Sequence, residues 1–147
     1  MKWFKINGRE WNVHVFEPKE SFSILYSDKT GRTLAEGAMV LDPIGTFFNY
    51  SLTVGKKRGF EKEFDALWDY ISKPRRESII VSFPRNQEMW ETYNDGEKIE
   101  GFYAYVSSGE RGIKKIREDV DGNLQFVEYD TFTINFIASK AQVLPDD

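Results

Sequence analysis

Cysteine is absent from this chain of 147 residues, and histidine occurs once, as His14. Without cysteine there is no disulfide, no thiolate metal site and no cysteine nucleophile. A single imidazole also excludes a metal site built from several histidines of one chain. Long apolar runs are missing as well, and the N-terminal MKWFKINGREW lacks the apolar core of a signal peptide. We therefore expect no cofactor, no bound metal and no membrane partner.

An excess of either charge is also missing, since 20 basic and 24 acidic side chains leave a net charge of −4. Proteins dedicated to nucleic-acid binding usually carry a basic surface, so we expect no such role here. A chain of this length most often forms one domain. We predict a single domain over residues 1–147, with a frayed C-terminal tail from about residue 139 to 147.

Aromatic residues are abundant, with 12 Phe, 7 Tyr and 4 Trp, and such residues favour strands. Asn7-Gly8 and Asn94-Asp95-Gly96 each separate two strand-like runs, which predicts two hairpins. Pro18 is expected to end the first of these units. Ser21 to Ser27 alternates as a strand does, with Phe22, Ile24 and Tyr26 on one face.

The clearest strand of the first half is the run from Phe47 to Val54. Its apolar residues alternate with Asn49, Ser51 and Thr53, which predicts one face on the core and a polar face towards water or a partner. From Phe60 the period changes to that of a helix, and Pro74 ends it. The residues of the predicted apolar stripe are Phe60, Phe64, Leu67, Trp68 and Ile71.

This order of elements predicts the fold class. About nine strands with one inserted helix and closely spaced turns indicate a mainly β domain. We expect an antiparallel β-sandwich or barrel with a single helix, about Phe60–Ser72, packed on it.

The residues do not form a recognisable catalytic set. His14 lies in the alternating run Val13-His14-Val15, which favours an exposed strand histidine over a catalytic base. The basic loop from Gly55 to Gly59 lacks the spacing of a phosphate-binding loop. Asp119 to Asn123 begins like a calcium loop, but glycine stands at the wrong position, so a hairpin turn is the better interpretation. We therefore expect a protein that is not an enzyme.

Basic and polar side chains near the helix suggest a surface for protein contacts. Lys56, Lys57 and Arg58 precede the predicted helix, and Arg75 and Arg76 follow it. Clustered charge of one sign favours partners with the opposite charge, and the hairpin around Asp95 is acidic. The candidate subunit-contact residues are Asn49, Ser51, Thr53, Lys56, Lys57, Arg58, Arg75 and Arg76.

Several motifs occur together in a fixed order along the chain. Within Ser21–Val54 these are Gly31-Arg32-Thr33, Gly37-x-Met39, Asp42-x-Ile44-Gly45-Thr46 and the aromatic strand from Phe47. The later ones are the acidic and aromatic helix Phe60–Ile71, the exit Ser72-Lys73-Pro74, Phe102-x-Ala104-Tyr105-Val106 and the run Val120–Phe136. In this combination the chain resembles small tail-associated proteins of bacteriophages and prophages of Gram-positive hosts, of the tail-tube or distal-tail kind.

This resemblance implies a structural component of a phage tail that acts through protein contacts. The component would be a ring subunit, an adaptor or a minor tail protein, made in the bacterial cytoplasm and located in the virion tail. Its partners would be further copies of itself and other tail proteins. The alternative hypothesis is a carbohydrate- or ligand-binding β-sandwich module that stacks its ligand on Trp90, Tyr93 or Tyr103. For Trp90 itself, the general burial of tryptophan favours a ring half-buried in a hairpin over an exposed one.

Overall fold

The computed structural model describes residues 2–32 and 37–146, so Thr33 of the Gly-Arg-Thr motif lies outside the described residues. Within them the chain forms one helix and 14 strands. In chain order these are β1 (Lys5–Ile6), β2 (Arg9–Glu10), β3 (His14–Tyr26), β4 (Gly31–Arg32), β5 (Met39–Val40), β6 (Pro43–Gly55), α1 (Glu61–Ser72), β7 (Ile79–Ser82), β8 (Pro84–Arg85), β9 (Glu88–Met89), β10 (Glu91–Asn94), β11 (Glu97–Glu100), β12 (Phe102–Tyr105), β13 (Arg111–Glu118) and β14 (Leu124–Ala138).

The main sheet contains eight antiparallel strands in the order β2-β1-β7-β12-β14-β6-β3, and β13 also pairs with β14. β14 joins the two halves of this sheet, because its last residues pair with β12 and residues 132–136 pair with β6. Rings from the two halves meet in the core, where the Tyr50 and Phe102 centroids are 5.2 Å apart. The expected mainly β, sandwich-like fold with a single helix is confirmed.

The two predicted hairpins form where the sequence places glycine after asparagine or aspartate. Asn7 and Gly8 have φ values of 51° and 81°, and Asp95 and Gly96 have 53° and 83°. Positive φ at both central positions matches the twist of the flanking strands. β1 therefore pairs with β2, and β10 pairs with β11.

The helix packs on the face of the sheet that carries Phe132. The rings of Phe64 and Trp68 each lie 5.0 Å from the Phe132 ring, between centroids. Phe60 does not join this stripe as expected, because it precedes the helix with φ −130° and leaves 42% of its surface exposed. In the part of the chain that the structure describes, no helix is long and apolar enough to cross a membrane.

Two expectations about chain ends and breaks differ from the structure. Pro18 does not end a strand, because β3 continues through a bulge between Phe16 and Lys19. The tail is also not frayed throughout. Residues Gln142 and Val143 bond to β6, since Thr46 N donates to Val143 O at 2.8 Å and Gln142 N donates to Thr46 O at 3.0 Å.

Candidate subunit-contact surface

The predicted polar face of β6 exists, and it lies opposite the helix. Its residues Asn49, Ser51 and Thr53 alternate with residues whose side chains are buried in the core, Tyr50, Leu52 and Val54. Some of the polar groups already have partners within the sheet. Asn49 Oδ1 accepts a hydrogen bond from Ala138 N at 2.9 Å, and the Thr53 and Thr133 hydroxyls are 3.2 Å apart. Some polar side chains of this face therefore already stabilise the pairing of β6 with β14.

The predicted basic residues do not share one surface with this polar face. Lys56, Lys57 and Arg58 are exposed before the helix, and Arg75 and Arg76 are exposed after it. A helix of 12 residues spans about 18 Å, so the two basic groups lie at its opposite ends. The helix itself lies on the other side of the sheet from Asn49. The candidate residues thus occupy three regions, and their role in subunit contacts stays a prediction.

The aromatic residues of the carbohydrate hypothesis are not available as one stacking surface. Trp90 is only 4% exposed, so the interpretation of its ring as an open platform is wrong. Arg85 lies 4.4 Å above the Trp90 ring, and Lys140 lies 4.0 Å above the Tyr103 ring. Tyr93 is exposed on the small β10–β11 hairpin. In the part of the chain that the structure describes, these three rings do not form one stacking surface, and the alternative stays a prediction.

Beside the C-terminal end of the helix there is a cavity of about 440 Å³, bounded by Trp68, Ile71, Lys73 and Tyr105. Its size is within the range of small-molecule sites. Among the described residues, no cluster of three His, Asp or Glu side chains is placed to hold a metal ion.

The largest feature that the sequence did not predict is an apolar surface on the hairpin formed by β3 and β6. Among the described residues, β3 pairs only with β6, and β14 pairs with β6 only from Tyr50 to Val54. The outer half is therefore a two-stranded ribbon, and the second edge of its β6 strand pairs with the chain at the single bridge between Thr46 and Val143. Large apolar side chains on this ribbon and its connection are between 41% and 66% exposed. We call them the apolar hairpin surface: Phe22, Ile24, Leu25, Tyr26, Met39, Val40, Leu41 and Ile44.

This surface is continuous with the core. The Phe22 ring lies 6.3 Å from Phe48, and Phe48 lies 5.3 Å from the buried Trp90. At the base of the ribbon, the Tyr50 hydroxyl donates to Glu20 Oε2 and accepts from Trp90 Nε1. Burial and the Glu20 carboxylate raise the pKa of Tyr50, because both disfavour the phenolate. The ribbon is thus anchored by hydrogen bonds that run from the buried Trp90 and Tyr50 to the exposed Glu20.

We expect this network to make the protein less stable in alkali. The pKa of Tyr50 is raised above its ordinary value of 10.0, so the neutral phenol contributes stability that is complete below pH 10 and is lost as the pH rises further. The free energy of unfolding from urea titrations at pH 8 and pH 11 measures this loss. Tyr50→Phe should lose less stability over that interval than the wild-type protein. Tyr93→Phe, at an exposed tyrosine, should lose as much as the wild-type protein, and equal losses in all three would contradict the account.

A second two-stranded ribbon consists of β13 and the first half of β14. Within residues 2–32 and 37–146, β13 pairs only with β14, and residues 124–131 of β14 have no strand on their other edge. Arg111 fixes the base of this ribbon to the helix, with Nη1 2.8 Å from Asp65 Oδ1 and its guanidinium 3.6 Å above the Tyr129 ring. The exposed apolar side chains of this second ribbon are Ile113, Ile116, Val120, Leu124 and Phe126.

Comparisons with protein-family models, with curated proteins and with solved structures give no significant match. The similarity to phage tail proteins rests on the sequence motifs alone, and it stays a prediction.

Proposed function

We propose that this protein is a structural component of a bacteriophage or prophage tail and acts through protein contacts rather than catalysis. The sequence motifs support the tail assignment, above all the strand Gly45–Tyr50, the helix that follows and the Ser72-Lys73-Pro74 exit. The component is a ring subunit, an adaptor or a minor tail protein. Its site of action is the virion tail, after synthesis in the cytoplasm of the bacterial host.

The observation that carries the protein-contact role is the apolar hairpin surface. Soluble monomers rarely expose a contiguous apolar patch larger than a few hundred Å². Eight large side chains, each about half exposed, offer on the order of 700 Å² in total if a large side chain carries roughly 150–200 Å². Leu25 pairs with Gly45 and lies on the opposite face of the ribbon from Phe22 and Ile24, so this area is divided between two faces. A stable protein interface takes about 800 Å² from each partner, which the ribbon supplies when a partner encloses both of its faces.

The second ribbon supports a contact between copies of this chain. A head-to-tail ring needs two different surfaces on each subunit, which meet when the rotation closes. The apolar hairpin surface and the ribbon formed by β13 and β14 are two such surfaces. The second ribbon also carries the exposed basic side chains of Lys114, Lys115 and Arg117. On the separate β10–β11 hairpin, Glu91 and Glu100 already have cationic partners within the chain, Lys98 and Lys5.

The tail assignment is tested in phage particles. Particles released from a strain that carries this gene are purified, and their tails are separated from the capsids. We expect mass spectrometry to find the protein in the tail fraction at a fixed ratio to the other tail proteins. A neighbouring tape-measure or baseplate gene would agree with this result. Absence of the protein from particles, together with neighbours unrelated to tails, would contradict the assignment.

A further inference from the structure

The edge of β6 beyond β14 is covered in an unusual way. β14 pairs with Tyr50 to Val54 of β6, and the last residues of β14 pair with β12. Further along the same edge, Val143 and Thr46 form an isolated antiparallel bridge. A ladder continuing in the register of β14 would place residue 140 opposite Thr46, so three extra residues are looped out before this bridge.

Between these two pairings, a side chain replaces a peptide group. Phe48 N donates to Gln142 Oε1 at 2.8 Å, and Gln142 Nε2 donates to Phe48 O at 3.0 Å. A primary amide has the same donor and acceptor as a peptide, so Gln142 occupies the place of a neighbouring strand. The edge of β6 at Thr46 and Phe48 is therefore a strand-binding site that residues 141–143 fill.

Gly45 allows residues 141–143 to lie close to β6. A Cβ atom at that position would lie 2.7 Å from Ala141 Cβ and 3.0 Å from Val143 O. Both distances are shorter than ordinary contacts, so a side chain at position 45 would push the segment away. The site thus has two features of a strand-binding edge. The backbone N–H and C=O groups of Thr46 and Phe48 need hydrogen-bond partners, and Gly45 leaves room for another backbone to approach.

Five hydrogen bonds to Thr46 and Phe48, but little buried apolar surface, hold the segment in this site. Its hydrogen bonds are each worth about 1 kcal/mol net. Val143 and Leu144 remain exposed, and they lie beside Gly45, whose partner across the hairpin is Leu25 of the apolar hairpin surface. Segments with few buried contacts open locally at low cost. A second copy that covers the apolar hairpin surface would come directly beside this segment.

We infer that, in the assembled protein, residues 141–143 of one copy occupy the β6 edge of the next copy. The exchange forms between chains the same hydrogen bonds to Thr46 and Phe48 that form within one chain. The backbone groups of both residues therefore stay hydrogen-bonded. It also buries Val143 and Leu144 together with the apolar hairpin surface. This inference rests on the proposed function, because it requires contacts between copies of the chain.

Cross-linking between two single-cysteine variants tests the exchange, since the chain has no cysteine of its own. One variant carries Thr46→Cys and a small affinity tag, and the other carries Val143→Cys. Hydrogen-bonded residues of an antiparallel pair have Cα atoms about 5.5 Å apart, within the range that a disulfide spans. The two variants are mixed, allowed to assemble and then oxidised. Circular dichroism checks that each variant is folded.

We expect a tagged heterodimer of twice the 17.2 kDa chain mass, which reducing agent separates. The double variant Thr46→Cys/Val143→Cys should form covalent ladders. Gln142→Ala, which removes the amide at Phe48, should lower the heterodimer yield severalfold when it is added to the Val143→Cys chain. The same change at the exposed Gln87, which lies outside both ribbons, should leave the yield unaltered.

Two outcomes would overturn the exchange. If the double variant forms only an internal disulfide and the mixed variants form no heterodimer, while the wild-type protein still assembles, the exchange is wrong and the proposed protein-contact role stands. If the wild-type protein forms no assembly and binds no tail protein, both the exchange and the proposed function are wrong.

Discussion

Phe132→Ala is expected to lower the free energy of unfolding by about 3–5 kcal/mol, the usual effect of truncating a buried aromatic residue. Phe132 is 2% exposed and contacts both Phe64 and Trp68 of the helix. It also pairs with Val54 of β6 and Arg111 of β13. Removal of its ring leaves a cavity where the helix meets the two ribbons, so helix and sheet should unfold in one transition at lower denaturant. Urea unfolding followed by fluorescence and circular dichroism measures the change.

Phe126→Ala is the matched control, because Phe126 lies on the same strand but is 44% exposed. Its truncation should change the free energy of unfolding by about 1 kcal/mol or less, as for other surface positions. Equal effects of the two substitutions would show that the helix does not depend on Phe132 for its packing. Such a result would contradict the packing of Phe64 and Trp68 on Phe132.

Phe22→Asp is expected to prevent assembly without unfolding the protein. Phe22 is 66% exposed near the base of the apolar hairpin surface, so the folded monomer accommodates a carboxylate there. In an interface, the same carboxylate would lose its water and meet apolar side chains. Loss of an aromatic side chain that an interface buries costs about 2 kcal/mol or more where that side chain is a hot spot, which corresponds to roughly a thirtyfold higher Kd for self-association. Sedimentation velocity at a series of concentrations measures this shift.

Tyr93→Asp is the control for this prediction, because it changes an equally exposed aromatic residue outside both ribbons. Tyr93 is 69% exposed on β10, and its replacement should leave the Kd of self-association within a few-fold of the wild-type value. If Phe22→Asp and Tyr93→Asp have the same effect, the apolar hairpin surface is not the contact. If Phe22→Asp unfolds the chain, the monomer itself covers Phe22, and the apolar hairpin surface is not free for a partner.

Local patterns were enough to predict much of the fold. The alternation in β6 correctly placed Tyr50, Leu52 and Val54 in the core, and the glycine turns correctly placed two hairpins. Such features depend on neighbouring residues, so the sequence displays them directly. The same pattern in Phe22 and Ile24 gave the strand but not its exposure, because a period of two defines two faces without showing whether another layer covers them.

Contacts between distant residues could not be predicted in this way. Gln142 bonds to Phe48 across 94 positions, and no local pattern in the tail signals that pairing. The candidate site shows the same limit. Arg58 and Arg75 flank one helix in sequence, and this position places them at opposite ends of it rather than on one surface. Asn49 lies on the face of the sheet opposite the helix, and this placement follows only from the packing of Phe64 on Phe132.

The mass of the protein in solution, measured by light scattering during size-exclusion chromatography, tests the central claim most directly. For the wild-type protein we expect a closed assembly with a mass that is a whole multiple of 17.2 kDa, visible as rings in negative-stain micrographs. Phe22→Asp should elute as a folded monomer under the same conditions. A wild-type protein that stays monomeric at every concentration, and that binds no other tail protein, would contradict the account.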